Sequence, residues 1–167
     1  MDLDQNEFKK IIEFLSLKNF HIDGDFIPKP IGDGQSNPTF LIKDERKNFK
    51  VLRTQPIGNL ARGAHRVDRE FSVIRALFNK GFECPQPYAV CDNPDLIGRM
   101  FYVMDFVEGD INFDPFLPDE SFEDKQKIYK SLAEVLGRLH SYDIDELGLS
   151  FRKNQGFMKR NLSLWYD

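Results

Sequence analysis

Apolar residues recur at helical spacing near the start of the chain: Phe8, Ile11, Ile12 and Leu15 follow Asp4, with Glu7 three positions after that capping residue. The spacing predicts an amphipathic helix over residues 4–18, packed outside the sheet that follows. Thr39-Phe40-Leu41-Ile42 and Phe49-Lys50-Val51-Leu52-Arg53 are short runs rich in apolar and β-branched residues, separated by the polar stretch Asp44-Glu45-Arg46-Lys47-Asn48. They predict a β-hairpin. From residue 64 to 78 the pattern returns to a helical period through Val67, Phe71, Ile74, Leu77 and Phe78, and Lys80-Gly81 supplies a stop. A second antiparallel pair is expected from residues 88–91 and 100–107, joined by a turn holding Asn93-Pro94-Asp95 and Gly98.

Gly109 and Asp114-Pro115-Phe116-Leu117-Pro118 interrupt regular structure and mark a linker. Ser121 with Asp124 three residues on then reads as a capping box. Ile128, Leu132, Val135, Leu136 and Leu139 place an apolar stripe on a helix ending near His140. The remaining apolar residues, among them Leu149, Phe151, Phe157, Leu162 and Trp165, follow no clear period. Two parts are therefore expected, residues 1–110 and residues 111–167.

Composition narrows the class. The chain has 167 residues, 41% apolar and 13% aromatic, which suits a packed core and excludes a disordered chain. Its net charge of −4, with both signs interspersed, makes no field for a polyanion, so nucleic acid is not an expected partner. No apolar run reaches the roughly 20 residues a membrane-spanning helix needs, and Asp2 and Asp4 stand where a leader would be basic. The expectation is a soluble, cytoplasmic protein without a membrane partner. Cys84 and Cys91 lack C-x-x-C spacing and read as reduced thiols, and no His or Cys cluster has metal-ligand spacing.

Three features carry chemistry. Gly32-Asp33-Gly34-Gln35-Ser36-Asn37 is a glycine-rich turn whose backbone N–H groups can approach phosphate oxygens, although the same composition also makes plain surface turns. A dinucleotide fingerprint is excluded, because Asn37 replaces its third glycine and Pro38 leads into a strand where a helix must follow. Arg53 closes the second hairpin strand, where a cation points toward phosphates or stays solvated, and Glu70 lies early in the next helix, where it pairs with that cation or faces solvent. Asp105, Phe106 and Val107 end an apolar strand just before the linker, a position for backbone recognition of a base as well as for strand core. Arg62, His65, Arg66 and Arg69 read as a surface cluster, and His140 as a residue favoured by the helix C-terminal dipole.

Taken in order, Gly34-Gln35-Ser36-Asn37-Pro38-Thr39-Phe40, Val51-Leu52-Arg53, Ala64-His65-x-x-Asp68-Arg69-Glu70-Phe71, Gly98-x-x-Phe101-Tyr102-Val103-Met104 and Leu139-His140 resemble the aminoglycoside phosphotransferase and choline kinase-like family. They look most like the subgroup joined to acyl-CoA dehydrogenase domains. The resemblance covers almost the whole chain. It implies an α+β fold: a protein-kinase-like small lobe, with an antiparallel sheet and one packed helix, followed by a linker and the first helices of a truncated helical lobe. It also implies transfer of the γ-phosphoryl of ATP to a substrate hydroxyl, with Mg²⁺ as cofactor. Carried onto this sequence, Gly34, Gln35, Ser36 and Asn37 form the phosphate loop, Arg53 is the phosphate-contacting cation, Glu70 its helical partner, and Asp105, Phe106 and Val107 the hinge. The subgroup hints at a hydroxyacyl thioester as acceptor.

The family pattern continues with a catalytic-loop His-Gly-Asp, a downstream Asn and an acidic metal motif, none of which occurs in these residues. His140 and Asp143 have the wrong spacing, and Gly148 stands where the Asn belongs. Phosphoryl transfer depends on positioning and on metal-assisted charge stabilisation, so this polypeptide alone is expected to be inactive, with a complementing C-terminal lobe as a possible partner. The other class of function consistent with the pattern is a non-catalytic interaction module that docks a partner through the helix ending near His140.

Overall fold

The computed structural model of the chain describes residues 3–32, 37–58, 60 and 64–149. Among the described residues five strands form one antiparallel sheet: β1 (Lys29–Pro30), β2 (Thr39–Lys43), β3 (Phe49–Thr54), β4 (Pro87–Cys91) and β5 (Phe101–Asp105). Their order is β1-β2-β3-β5-β4, so the last strand returns between its two predecessors. The helices among the described residues are α1 (Gln5–Leu17), α2 (Val67–Asn79) and α3 (Phe122–His140), with a 3₁₀ turn at Pro94–Leu96. The α+β class and the small-lobe arrangement expected from the sequence are those of the structure.

The start of α1 and the end of α2 have chemical causes. Asp4 caps α1 by accepting from the Glu7 N–H at 2.8 Å, and the Glu7 carboxylate accepts from the Asp4 N–H at 3.2 Å, a closed capping box. Arg99, 1% exposed, donates to that same carboxylate at 2.7 Å and ties α1 to the start of β5. Helix α2 ends in a Schellman motif: Gly81 has φ 78°, its N–H reaches the Phe78 carbonyl, and the Phe82 N–H reaches the Leu77 carbonyl. At its other end α2 begins at Val67, three residues later than the pattern suggested. His65 at φ 54° and Arg66 at φ −79°, ψ 78° hold the preceding turn outside helical geometry.

Period-two alternation sends side chains to the two faces of the sheet. Phe40, Ile42, Leu52, Phe101 and Val103 point to one face, where Phe8, Ile11 and Leu15 of α1 complete the larger core. Tyr102 points to the other face and packs with Val67 and Phe71 of α2. The expected packed helix is α2, and α1 covers the opposite face. Strand β5 stops at Asp105, two residues short of the expected end, where its registers with β3 and β4 run out. The short edge strand β1 had no signal in the sequence.

Contacts divide the chain into a unit over Met1–Ile111 and a second over Asn112–Asp167. In the second unit Ser121 caps α3 by accepting from the Asp124 N–H, the first half of the expected capping box; the Asp124 carboxylate accepts from the Ser121 hydroxyl at 2.8 Å in place of its N–H, so the box does not close. The apolar stripe of α3 lies open, with Leu132 54%, Leu136 42% and Leu139 37% exposed. His140 is the last residue of that helix. Among the described residues no helix is long and apolar enough to cross a membrane.

Leu52 is fully buried in the middle of β3. Leu52→Ala is expected to lower unfolding stability by about 2–5 kcal/mol, whereas Leu17→Ala at a largely exposed site changes it by under about 0.5 kcal/mol. Urea unfolding of both variants checks the pair, and equal losses would contradict this placement of the core.

Candidate functional site

The antiparallel register sets three side chains in one row across the sheet. Thr39 of β2 lies opposite Arg53 of β3, which lies opposite Tyr102 of β5. All three belong to the face that carries α2, and Glu70 in the first turn of α2 comes down onto that row. Arg53 Nε donates to Glu70 Oε2 at 2.8 Å, the ion pair that the sequence suggested. Arg53 Nη1 donates to Thr39 Oγ1 at 2.8 Å and lies 3.5 Å from the Asn37 carbonyl. The Tyr102 hydroxyl donates to Glu70 Oε2 at 3.2 Å. Burial, reinforced by the charge of Glu70, pushes the Tyr102 phenol well above its ordinary range, so it remains a donor.

Asn37 completes the arrangement. It is 5% exposed, and its side-chain amide donates to Glu70 Oε1 at 2.7 Å while its Oδ1 lies 3.0 Å from His65 Nδ1. Both Glu70 oxygens are thereby engaged, one by the residue ending the glycine-rich turn and one by Arg53 and Tyr102. Of the Arg53 donors, Nη2 alone has no protein partner among the described residues.

Beside this network opens a cavity of about 430 Å³ lined by Ile31, Gly32, Asn37, Thr39, Arg53, Phe106 and Ile111. Gly32 has φ 79°, a conformation that favours glycine, and among the described residues nothing beyond its chain neighbours lies within 4 Å of where a Cβ would stand. The lining combines the apolar side chains of Ile31, Phe106 and Ile111 with the polar Asn37 and Thr39 and the Arg53 guanidinium. A flat apolar group and an anion fit that combination.

The expected site residues separate into three groups. Asn37, Arg53 and Glu70 are brought together, and Phe106 joins them on the cavity wall. Gly34, Gln35 and Ser36 lie outside the described residues, as does Arg62. The Asp105 side chain points the other way. Alternation along β5 puts it on the α1 face, where its Oδ1 accepts from Lys50 Nζ at 2.7 Å and from the Tyr88 hydroxyl at 2.7 Å. Only backbone groups of Asp105 remain for the cavity side, and its N–H is taken by the Gln86 carbonyl. Val107 is 65% exposed beyond the strand. Burial lowers the affinity of Lys50 for its proton, but the hydrogen bonds to Asp105 and Tyr88 more than offset this and keep the ammonium charged.

Sequence reasoning missed Thr39, Tyr102 and His65 as members of the network. The first two follow from strand register, which the chain reveals only once the pairing is known. His65 stood in a cluster read as surface. Its proximity to Asn37 depends on the turn before α2. Arg66 of that cluster turns to Asp68, donating from Nε at 2.7 Å.

Comparison with known proteins adds to this geometry. The model of a family described as "Phosphotransferase enzyme family" matches residues 28–167. Acyl-CoA dehydrogenase family member 11 of Rattus norvegicus is 45% identical over 133 residues, which is 79% of this chain and 17% of that protein. Acyl-CoA dehydrogenase family member 10 of Mus musculus is 33% identical over 166 residues, 99% of this chain and 15% of that protein. A crystal structure of a Ralstonia eutropha chain assigned to the aminoglycoside phosphotransferases superposes with a TM-score of 0.69 at 26% identity, covering 95% of this chain and 46% of the other. The chain thus spans less than a fifth of these curated relatives.

The Arg66 hydrogen bond holds the Asp68 carboxyl below the usual carboxylate range against the opposing effect of burial. A folded pKa lower than the unfolded one contributes stability that is present above the unfolded value, about 4, and is lost as pH falls through the folded value. Asp68→Asn is therefore expected to flatten the loss of stability between pH 5 and pH 2, both limits being about one to two units from that value. Urea unfolding across that window measures it, and an unchanged acid limb would contradict the assignment.

Proposed function

The chain belongs to the phosphotransferase enzyme family, and from that premise we propose that it holds the phosphates of ATP for transfer of the γ-phosphoryl to a substrate hydroxyl. The observation that carries this reading is the Arg53 guanidinium, fixed by Glu70 and Thr39 on the wall of a cavity that also holds apolar Ile31, Phe106 and Ile111, with no partner for Nη2 among the described residues. A guanidinium held through two of its three nitrogens loses little rotamer freedom when a phosphate oxygen binds at the third. Glu70 fixes the orientation of the fork without neutralising the free edge. In this reading residues 1–110 are the nucleotide-binding lobe and residues 111–167 begin the helical lobe.

Ile31 and Phe106 bound the apolar part of the cavity and suit a purine ring. Gly34, Gln35, Ser36 and Asn37 serve as the phosphate loop, and the backbone at Asp105, Phe106 and Val107 serves as the hinge. ATP supplies the transferable phosphoryl group when bound. Mg²⁺ accompanies the triphosphate: among the described residues no group of three His, Cys, Asp or Glu side chains is placed to hold a metal ion. The acyl-CoA dehydrogenase names of two relatives support a hydroxyacyl thioester as the acceptor. A second reading, a docking module, draws on the open stripe of Leu132, Leu136 and Leu139 on α3.

Arg53→Ala is expected to weaken MgATP binding about ten- to hundredfold, the range of a charge-assisted hydrogen bond. Isothermal titration of the full chain measures this, with circular dichroism to verify folding. Unaltered affinity would overturn the nucleotide reading, and absence of MgATP binding to the unsubstituted chain would leave the docking reading in its place.

A further inference from the structure

His65 sits at φ 54°, the left-handed region, which residues with a Cβ adopt only where neighbours over-determine it. Two hydrogen bonds converge on its carbonyl. Gln55, 6% exposed, donates from Nε2 at 2.8 Å, while its Oε1 accepts from the Met100 N–H at 3.1 Å. The Val67 N–H donates to the same carbonyl at 3.0 Å, closing an inverse γ-turn about Arg66. Gln55 therefore anchors the turn before α2 to the residue that leads into β5.

The backbone so held presents the imidazole to Asn37, and the polarity of that contact follows from the network. An ionised Glu70 only accepts, so the Asn37 group facing its Oε1 at 2.7 Å is the NH₂. Asn37 Oδ1 then faces His65, and His65 Nδ1 must carry the proton across the 3.0 Å contact. In the neutral ring this is the Nδ1–H tautomer, with Nε2 as an acceptor.

We infer that His65 is a positioning residue of the nucleotide site: its ring fixes Asn37, Asn37 fixes one oxygen of Glu70, and Glu70 thereby keeps its other oxygen on Arg53. The inference rests on the reading of Arg53 as the phosphate-binding cation, and it adds a coupling between the glycine-rich turn and the start of α2. Without the ring, Asn37 Oδ1 loses its donor and the amide is free to rotate away from Glu70. The carboxylate then keeps its bonds to Arg53 and Tyr102 but loses the one from Asn37, so it is less restrained and the guanidinium edge offered to phosphate is less well aimed.

The test separates ring from backbone. His65→Gly accepts a positive φ and removes only the imidazole, whereas His65→Asn tolerates the same backbone and restores an N–H donor. Titration of the full chain with MgATP is expected to show about five- to tenfold weaker binding for His65→Gly, the effect of one neutral hydrogen bond, and a change within about twofold for His65→Asn. Nitrogen-15 NMR of the unsubstituted chain without nucleotide is expected to show the Nδ1–H tautomer at His65. The Arg53 Nε–H is expected to exchange slowly there and faster in His65→Gly. A dominant Nε2–H tautomer, or unaltered Arg53 Nε–H exchange and unaltered affinity in His65→Gly, overturns the inference. If Arg53→Ala binds MgATP as the unsubstituted chain does, it is the nucleotide reading that fails, and the tautomer and exchange measurements still decide the role of His65.

Discussion

The arrangement depends on one ion pair between a strand and a helix. Arg53 and Glu70 are 17 positions apart in sequence and meet at 2.8 Å because β3 and α2 share a face of the sheet. Their side chains are 30% and 36% exposed, so water screens the pair and its contribution to stability is small. What the pair supplies is direction. It holds a flexible cation with its fork turned to the cavity, and every other member of the network, Asn37, Thr39, Tyr102 and His65, limits the ways that fork can turn.

The sheet makes this possible by keeping two chemistries apart. On the α1 face, Leu52, Phe101 and Val103 build an apolar core, and at its margin Lys50, Asp105 and Tyr88 hydrogen-bond to one another. On the α2 face, Arg53 and Glu70 sit beside a smaller core, and Arg53 lines a cavity. A one-residue slip of β3 would exchange Arg53 with Lys50's face and destroy both. The register Arg53 to Tyr102 is therefore as much a part of the site as the side chains themselves.

What could be read from the chain follows the range of the forces involved. Local patterns were legible: the α1 capping box, the hairpin of β2 and β3, the apolar faces of α2 and α3, and the Arg53–Glu70 pairing that the ordered motifs implied. Features set by the third dimension were not. The start of α2 moved because Gln55, ten residues away, holds His65 in a left-handed turn. The direction of the Asp105 side chain was hidden because a strand-end residue can face either way until its partners are known, and Lys50 with Tyr88 decides it. Strand β1 has two residues, Lys29 and Pro30, and too short a run for any period to show.

The most direct test of the account is a double-mutant cycle of Arg53→Ala and Glu70→Gln, read as MgATP affinity of the full chain. Glu70→Gln keeps the shape and hydrogen-bonding reach of the side chain while removing its charge. If Glu70 acts by aiming Arg53, the glutamine weakens binding when Arg53 is present and changes nothing further once Arg53 is alanine. Additive losses in the double variant would contradict that, and would mean that the two residues meet the nucleotide, or fail to, independently of one another.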